Sequence, residues 1–596
     1  MIQNGQIDSF GKGFSMTDRQ TDRQTDRQTD RQTDTDSYKI RIYELEKEIA
    51  RLKSQISQQR YGLVWLDVPE GFEGDSENRI PILEEVPERE IHNTDGKPCH
   101  ILIEGDNYHA LTCLNYTHRG RVDVIYIDPP YNTGSDGFTY RDRRFLTEKP
   151  DGTPVPKDHP LRHSYWLSFM SKRLRLAKNL LSDRGVIFIS IDDNEQANLK
   201  LLCDQIFGEA NFVGTILWKK KTNGNNMGFL PPVHDYILCF AKNINLIQDM
   251  GYPVSKEHIQ KTFSNPDNDP RGPWTTSDLS ANHKGPYFEI KNPANGDSFF
   301  PPEGRYWVFN EQEVLRRIAD GRIIFGKSGI ARPVQKVFLS GRKYSKTRAE
   351  SWWDNNGMNE DATSELKEIL GVAKVFTHPK PSELLYHILK ISTETNSIIL
   401  DFFAGSGTAM DATLKLNNED NGTRQCILVQ INDQEVCENV TYERNRRVMQ
   451  GYTNSKGEAV PGLGNSLKYY RTAFVGKNPP RHALDSDRLE LACKAGNLLA
   501  LAENTLFERE RTEAFQIFTD DADPQNVTAI YFLEDIGRLD DFQARVEALA
   551  EQAGKVAVYI FSWDDGAVYD TMFEMCRNVE IKSIPQPILE IYQTLQ

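Results

Sequence analysis

The chain has no Cys-x-x-Cys pair: its 8 cysteines lie singly from residue 99 to residue 576. That spacing excludes the usual structural zinc and offers no disulfide framework. Scattered thiols instead fit a reducing, cytoplasmic compartment, and no metal is expected. No apolar run approaches the roughly 20 residues of a membrane helix. No apolar signal segment opens the chain, so no membrane partner is expected. Positive charge is also short, with 71 Lys and Arg against 86 Asp and Glu, a net charge of −15. The deficit is uneven. Residues 481–596 hold ten Lys or Arg against twenty-two Asp or Glu, whereas residues 301–350 hold eleven against five. A polyanion needs local basic surface rather than a basic protein. The middle region therefore reads as a contact surface, or else as an ordinary solvated face.

Two apolar runs carry the chemistry. Val122-Asp123-Val124-Ile125-Tyr126-Ile127 reads as a buried strand of a parallel sheet and ends in Asp128-Pro129-Pro130-Tyr131. Ligand chemistry collects at the carboxyl ends of such strands. Each proline fixes its own φ and restricts the residue before it, so the carbonyls of Asp128 and Pro129 point in set directions. A carboxylate and a rigid carbonyl can both accept from one amino group, while a tyrosine stacks on a planar ring. The tetrapeptide is thus a receptor for an exocyclic amine on a heterocycle, or simply a tight turn. The second run, Ser397 to Asp401, leads into Phe402-Phe403-Ala404-Gly405-Ser406-Gly407-Thr408 and then a helix. Glycines before a helix N-terminus let a ligand approach the backbone. A third apolar strand, Cys426–Ile431, ends in Asn432-Asp433, where polar groups can meet a ribose.

Strand-Asp-Pro-Pro-Tyr followed far downstream by strand-Asp-Phe-Phe-Ala-Gly-Ser-Gly-Thr resembles the motif pair of S-adenosylmethionine-dependent amino-methyltransferases acting on DNA. The order, with a large region between, is similar to their β-group. Leu102-Ile103-Glu104-Gly105-Asp106-Asn107, Asn132-Thr133-Gly134, Lys380-Pro381 and the long carboxyl-terminal extension resemble the modification subunit of type III restriction systems. The resemblance implies an α/β fold: a doubly wound, Rossmann-like core with an inserted target-recognition domain and a small α/β carboxyl-terminal domain. It implies that Asp128 and the Pro129 carbonyl accept from the target amine, that Pro130 stiffens the turn and that Tyr131 stacks on a flipped-out base. It places S-adenosyl-L-methionine against Asp401, Phe403, Ala404, Gly405, Gly407 and Thr408, with Asp106 and Lys380 as further contacts. The implied activity is site-specific adenine-N6 methylation of double-stranded DNA. The implied partners are a second copy of the chain and a restriction subunit with ATPase and nuclease functions. Cytosine N4 is the alternative target, and an inactive specificity subunit the alternative class; Asp rather than Ser at position 128 leans toward adenine in this family.

Domain limits follow from composition. Residues 1–36 form a repeat segment, with four copies of Thr-Asp-Arg-Gln at residues 17–32 and no apolar face, and are expected to be disordered. The codons ACA-GAC-AGA-CAG would spell this repeat as a pure tetranucleotide, whose slippage shifts the reading frame and switches expression. The other reading is a tolerated peptide linker. Residues 37–60 carry Ile42, Leu45, Ile49, Leu52 and Ile56 at heptad spacing, a coiled-coil seam for a dimer or a helix docked on its own domain. Residues 61–99 read as an irregular connection, 100–242 as the catalytic half and 376–475 as the cofactor half of the core. Between them, 243–375 is the recognition region. Its Trp274, Tyr287, Phe288, Arg305, Tyr306 and Trp307 suit base and phosphate contacts or a small core. Residues 476–596 form the terminal domain, with a helix expected over Asp487–Asn504. Gly321 to Ser328 fits G-x-x-x-x-G-K-S, but Ile323-Ile324-Phe325 reads as a strand, so it is taken as a decoy rather than a phosphate loop.

Overall fold

The computed structural model describes residues 63, 65–67, 79–134, 153–156 and 159–595, apart from 224–228, 248–249, 254–255, 327, 342–345, 521–524, 564–568 and 570. Every strand and helix described belongs to the unit Trp65–Gln596. The repeat segment, the heptad seam and Lys327 of the decoy lie outside the described residues.

Ten strands make the central sheet: β1 (Ile80–Glu85), β2 (Cys99–Glu104), β3 (Val122–Ile127), β4 (Leu181–Ile191), β5 (Phe212–Lys219), β6 (His234–Ala241), β7 (Trp352–Trp353), β8 (Ile398–Asp401), β9 (Gln425–Gln430) and β10 (Ser466–Val475). Their order is β1-β10-β2-β9-β8-β3-β4-β6-β5-β7. The six strands from β10 to β4 run parallel, and β6 returns antiparallel to β4. Parallel strands buried on both faces need apolar residues at nearly every position; Val124, Ile125, Tyr126 and Ile127 are all buried. Alternate side chains leave the sheet on opposite sides. Val124 and Tyr126 pack into one cluster with α5 (Ser382–Ser392) and α6 (Thr408–Asp420), joined there by α4 (Asn359–Leu370) and α7 (Glu443–Gln450). Ile125 and Ile127 point the other way, where α1 (Asn107–Thr117), α2 (Ser164–Leu180) and α3 (Gln196–Phe207) form the second layer. The register fixes the site: Ile399 and Leu400 pair with Val124 and Ile125, so the carboxyl ends of β3 and β8 finish side by side.

Three sequence limits shift. Residues 80–85, expected within a connection, form strand β1 on the sheet edge, because Ile80, Ile82 and Leu83 are fully buried against β10. Trp352–Trp353 and α4, expected within the recognition region, belong to the core. Trp353 is buried and β7 adds to β5 in parallel, so the core resumes well before residue 376. The helix expected over Asp487–Asn504 is two, Asp485–Lys494 and Gly496–Glu503. Gly496 opens the second, and a Cβ there would fall 2.3 Å from Gln516 Oε1, so the close approach requires glycine.

The inserted region holds a three-stranded sheet of Ile323–Ile324, Val334–Phe338 and Trp274–Asp278. Its core is built on Leu279, Ile290, Trp307, Val314, Ile323 and Phe325. The decoy's Ile323–Ile324 is therefore a paired strand, antiparallel to Val334-Gln335. Trp274 and Trp307 are buried core, whereas Tyr287 is exposed and stacks on Phe300. Much of the basic charge counted here is spent internally. Lys336 is buried against Asp267 and Asp269, Arg305 pairs with Asp278 at 2.9 Å, and Arg316 and Arg317 both bind Glu313 at 2.7 Å. The terminal domain is a five-stranded sheet ordered Phe507–Arg511, Phe515–Thr519, Asn526–Tyr531, Lys555–Phe561 and Val579–Ile584. Its last helix, Gln586–Leu595, returns to the core, where the Tyr592 hydroxyl donates to the Pro81 carbonyl at 3.2 Å.

Candidate active site

Strand β3 delivers Asp128 to the sheet edge as the chain turns through two prolines. The Tyr131 hydroxyl donates to Asp128 Oδ1 at 2.8 Å, and Lys380 Nζ donates to Oδ2 at 2.5 Å. The turn is held from both sides. Trp166, fully buried on α2, donates its indole N–H to the Pro130 carbonyl at 2.7 Å. Asn132 adopts a left-handed φ of 59° and donates to buried Glu195 at 2.6 Å. Glu195 also accepts from Asn198 and from His163 Nδ1, and that bond raises the His163 pKa above its ordinary value. No donor among the described residues reaches the Pro129 carbonyl. The Lys380 ammonium lies 5.1 Å from the Tyr131 ring centre, within cation–π range.

Strand β8 delivers the glycine turn beside it. Asp401 is buried, and its Oδ1 accepts from the Phe403 N–H at 3.0 Å. Burial pushes the Asp401 carboxyl up to about 8, with the Asp128 charge acting in the same direction. Gly405 takes φ +53°, its N–H donating to Gln430 Oε1 at 2.7 Å and its carbonyl accepting from Thr441 Oγ1 at 2.6 Å. Gly407 takes φ +78°, and a Cβ there would lie 2.3 Å from Asn445 Nδ2. Behind the turn, fully buried Arg444 donates to Ser406 Oγ at 3.2 Å, Thr408 Oγ1 at 2.9 Å and Asp411 Oδ2 at 2.7 Å. Thr408 Oγ1 donates to the Lys380 carbonyl at 3.2 Å, so the glycine turn and the lysine segment are tied together.

The two turns face one cavity of about 290 Å³. Of the sequence-predicted residues, Asp128, Pro129, Pro130 and Tyr131 line one part of it, and Lys380, Phe403, Ala404, Gly405 and Thr408 another. Asp401, Gly407 and Asp106 stand outside the lining. Asp106 caps α1, accepting from the Tyr108 N–H at 2.7 Å and from Arg173 at 3.3 Å. Sequence reasoning missed Asp192, Asp235, Phe376, His378 and Gln430, which line the cavity together with Lys220. Asp235 is buried at the start of β6 and accepts from Lys220 Nζ at 2.5 Å. Burial raises its carboxyl pKa against the lowering pull of Lys380 and Lys220. Burial also pushes the Asp192 carboxyl up to about 6.

A carboxylate, a rigid carbonyl and an aromatic ring facing a glycine turn can hold a planar amine against a second ligand. Comparison with known proteins identifies the family. A family profile described as DNA methylase matches residues 122–441. The Mod subunit of the type III restriction-modification enzyme StyLTI of Salmonella typhimurium is 35% identical over 458 residues, covering 70% of this chain and 68% of that protein. The EcoPI Mod subunit of Escherichia phage P1 is 32% identical, covering 65% of this chain and 66% of that protein. The matches thus span about two thirds of each relative. Among solved structures, a putative DNA modification methylase of Thermus thermophilus complexed with S-adenosyl-L-methionine has a TM-score of 0.29. It is 14% identical and covers 61% of this chain and 98% of that one. The chain belongs to the N6/N4 DNA methylase family and, within it, stands with the Mod subunits of type III restriction-modification enzymes.

Proposed function

We propose that the protein methylates N6 of adenine in double-stranded DNA with S-adenosyl-L-methionine as donor, as the modification and recognition subunit of a type III system. The observation that carries this reading is the meeting of Asp128-Pro129-Pro130-Tyr131 and Phe403-Ala404-Gly405 around one cavity. The residues present fit the cofactor. Gly405 exposes bare backbone: a Cβ there would lie only 3.1 Å from the Phe376 ring, so the wall would tighten with any larger residue. Phe403, Ala404, Gly405 and Thr408 would hold it, beside Gln430. When bound, the cofactor supplies an electrophilic sulfonium methyl.

The chain's own residues do the rest. Asp128 and the Pro129 carbonyl accept the two hydrogens of the target amine and aim its lone pair. Tyr131 stacks on the base. Trp166 and Glu195 keep that receptor rigid, so amine and methyl meet in a preset geometry, which supplies a large share of such accelerations. A base inside a duplex cannot reach the cavity, so it must flip out, at roughly a few kcal/mol of unstacking. The exposed Tyr287 and Phe300 lie on the inserted region that would read sequence. Relatives named as Mod subunits support association with a restriction subunit. A dimer, one copy recognising while the other methylates, completes the proposal. The four-residue repeat adds switched expression, which sequencing the gene tests: codons without a four-base period remove it.

Transfer of a labelled methyl group to unmethylated genomic DNA, followed by nucleoside analysis, is the deciding experiment. Labelled N6-methyladenine is expected. Labelled N4-methylcytosine moves the target, and no label removes the activity. Asp128→Ala should abolish transfer while leaving cofactor binding intact; transfer retained by this variant would remove Asp128 from its role.

A further inference from the structure

Strands β5 and β6 are joined by residues 220–233, and both ends of that connection stand in the cavity wall. Lys220 and Asp235 line the cavity, and their side chains bond at 2.5 Å. The Lys220 N–H donates to the Val233 carbonyl at 2.9 Å, and the Lys220 carbonyl accepts from the Asn359 N–H at the start of α4 at 3.0 Å. The foot of the connection is therefore fixed in the wall that Asp128 shares. Further out, Phe229 is fully exposed and Leu230 is 91% exposed. Exposed apolar side chains scattered singly are ordinary on a protein surface. An adjacent pair beside a substrate cavity calls for a ligand. Pro231 and Pro232 stiffen the backbone that carries it. Four residues of extended chain reach about 14 Å, so Phe229 stands within that distance of Val233 at the foot. Lys219 and Lys221 flank the foot and form no ion pair among the described residues, a charge that suits phosphate.

We propose that Phe229, with Leu230 beside it, is a wedge that enters the DNA base stack when the target base flips into the cavity. The proposal rests on the methyl-transfer reading above and deepens it. Flipping takes a base off both of its stacked neighbours and leaves a gap one base thick. That gap lies in the duplex, outside the cavity mouth. The group that fills it must project from the rim rather than line the wall. A phenyl ring is flat and apolar, and apolar side chains inserted between base steps are a recurring device for unstacking DNA. Burying Phe229 against base faces removes from water the surface that the free protein leaves bare. A protein partner has no need of this rim, whereas duplex DNA must meet it each time a base enters the cavity.

The test uses the full chain on two synthetic duplexes that carry a site located in genomic DNA methylated by the protein. One is fully paired, and the other has the target base mispaired. Phe229→Ala should lower kcat/KM on the paired duplex by about tenfold, the scale of a lost base–aromatic stack. On the mispaired duplex, whose target base is already loosened, the loss should shrink to about threefold or less. Affinity for S-adenosyl-L-methionine should not change, because Phe229 stands outside the cavity lining. Phe229→Trp, which keeps a flat ring, should restore most of the transfer lost by Phe229→Ala. The side chain is bare to solvent, so neither substitution endangers the fold. Equal losses on the two duplexes would make Phe229 a plain DNA contact and overturn the wedge. Undiminished transfer by Phe229→Ala on the paired duplex overturns it as well and leaves the apolar pair to a protein partner. If the unaltered protein transfers no methyl group to genomic DNA, the methyl-transfer reading fails first and takes the wedge with it.

Discussion

Replacing Asp401 with asparagine should change how stability depends on pH. The Asp401 carboxyl is pushed from 3.8 up to about 8, chiefly by burial at the end of β8. The folded chain binds this proton more tightly than the unfolded chain does. The stability it contributes is therefore complete below 3.8 and is lost as pH rises toward 8. At pH 5 the unfolded carboxyl is already mostly ionised, whereas the folded one stays protonated until about 8. With each pKa unit equivalent to 1.36 kcal/mol, the loss between pH 5 and pH 9 has a ceiling of about 4 kcal/mol. Water entering the site would lower that figure, so roughly 2 kcal/mol is a safe expectation. The substituted amide cannot ionise, and its side-chain oxygen still accepts from the Phe403 N–H. Thermal unfolding of both proteins at pH 5, 7 and 9 checks the argument. The asparagine variant should gain on the wild type steadily as pH rises, whatever its offset at pH 5. An infrared band of a protonated carboxyl near neutral pH should vanish in the variant. Parallel stability profiles, with no such band, would refute the reasoning and mean that Asp401 is ionised in the fold.

Three further substitutions probe the scaffold. Gly407→Ala forces a Cβ to within 2.3 Å of Asn445 Nδ2 at a positive φ, so it should cost about 1–3 kcal/mol and weaken cofactor binding measured by calorimetry. Trp166→Phe leaves the Pro130 carbonyl without its donor. About 1–3 kcal/mol should be lost, and transfer should slow while cofactor affinity holds; an unchanged kcat would show that the turn is rigid without it. Arg444→Met strips the buried Asp411 carboxylate of its nearest counter-charge and should lower stability by about 3–5 kcal/mol, read as a large drop in the unfolding midpoint.

The parts of the site that were legible in the sequence are those written in consecutive residues. Asp128 to Tyr131 and Phe403 to Thr408 each follow an apolar strand, and a parallel sheet sends every such strand end to the same edge. Two motifs far apart in the chain therefore imply one cavity before any coordinates exist. What stayed hidden depended on strand direction and on partners brought by folding. Lys380 was read as a contact for the cofactor; its hydrogen bond to Asp128, a residue 252 positions away, is a partner that only folding brings. Basic residues in the inserted region looked available for phosphate, but Lys336 lies buried between two aspartates. Net charge along a sequence cannot show which charges have already found partners.

Asp235 is the instructive omission. In a parallel sheet the first residue of a strand lies at the edge opposite the ligand, so a polar residue there attracts no notice. Strand β6 runs the other way: Tyr236 pairs with Ile191, the last residue of β4. Its amino end therefore sits where the parallel strands finish, and its acid enters the ligand edge instead of leaving it. The polar start of this apolar strand, His234-Asp235, follows Lys219 after a connection of fourteen residues. A link of that length suits an antiparallel pair or a crossover to a parallel strand, so strand direction is not written in it. Antiparallel pairing puts the end of one strand and the start of the next at one edge. Only the paired register places Asp235, with Lys220, at the edge that carries Asp128.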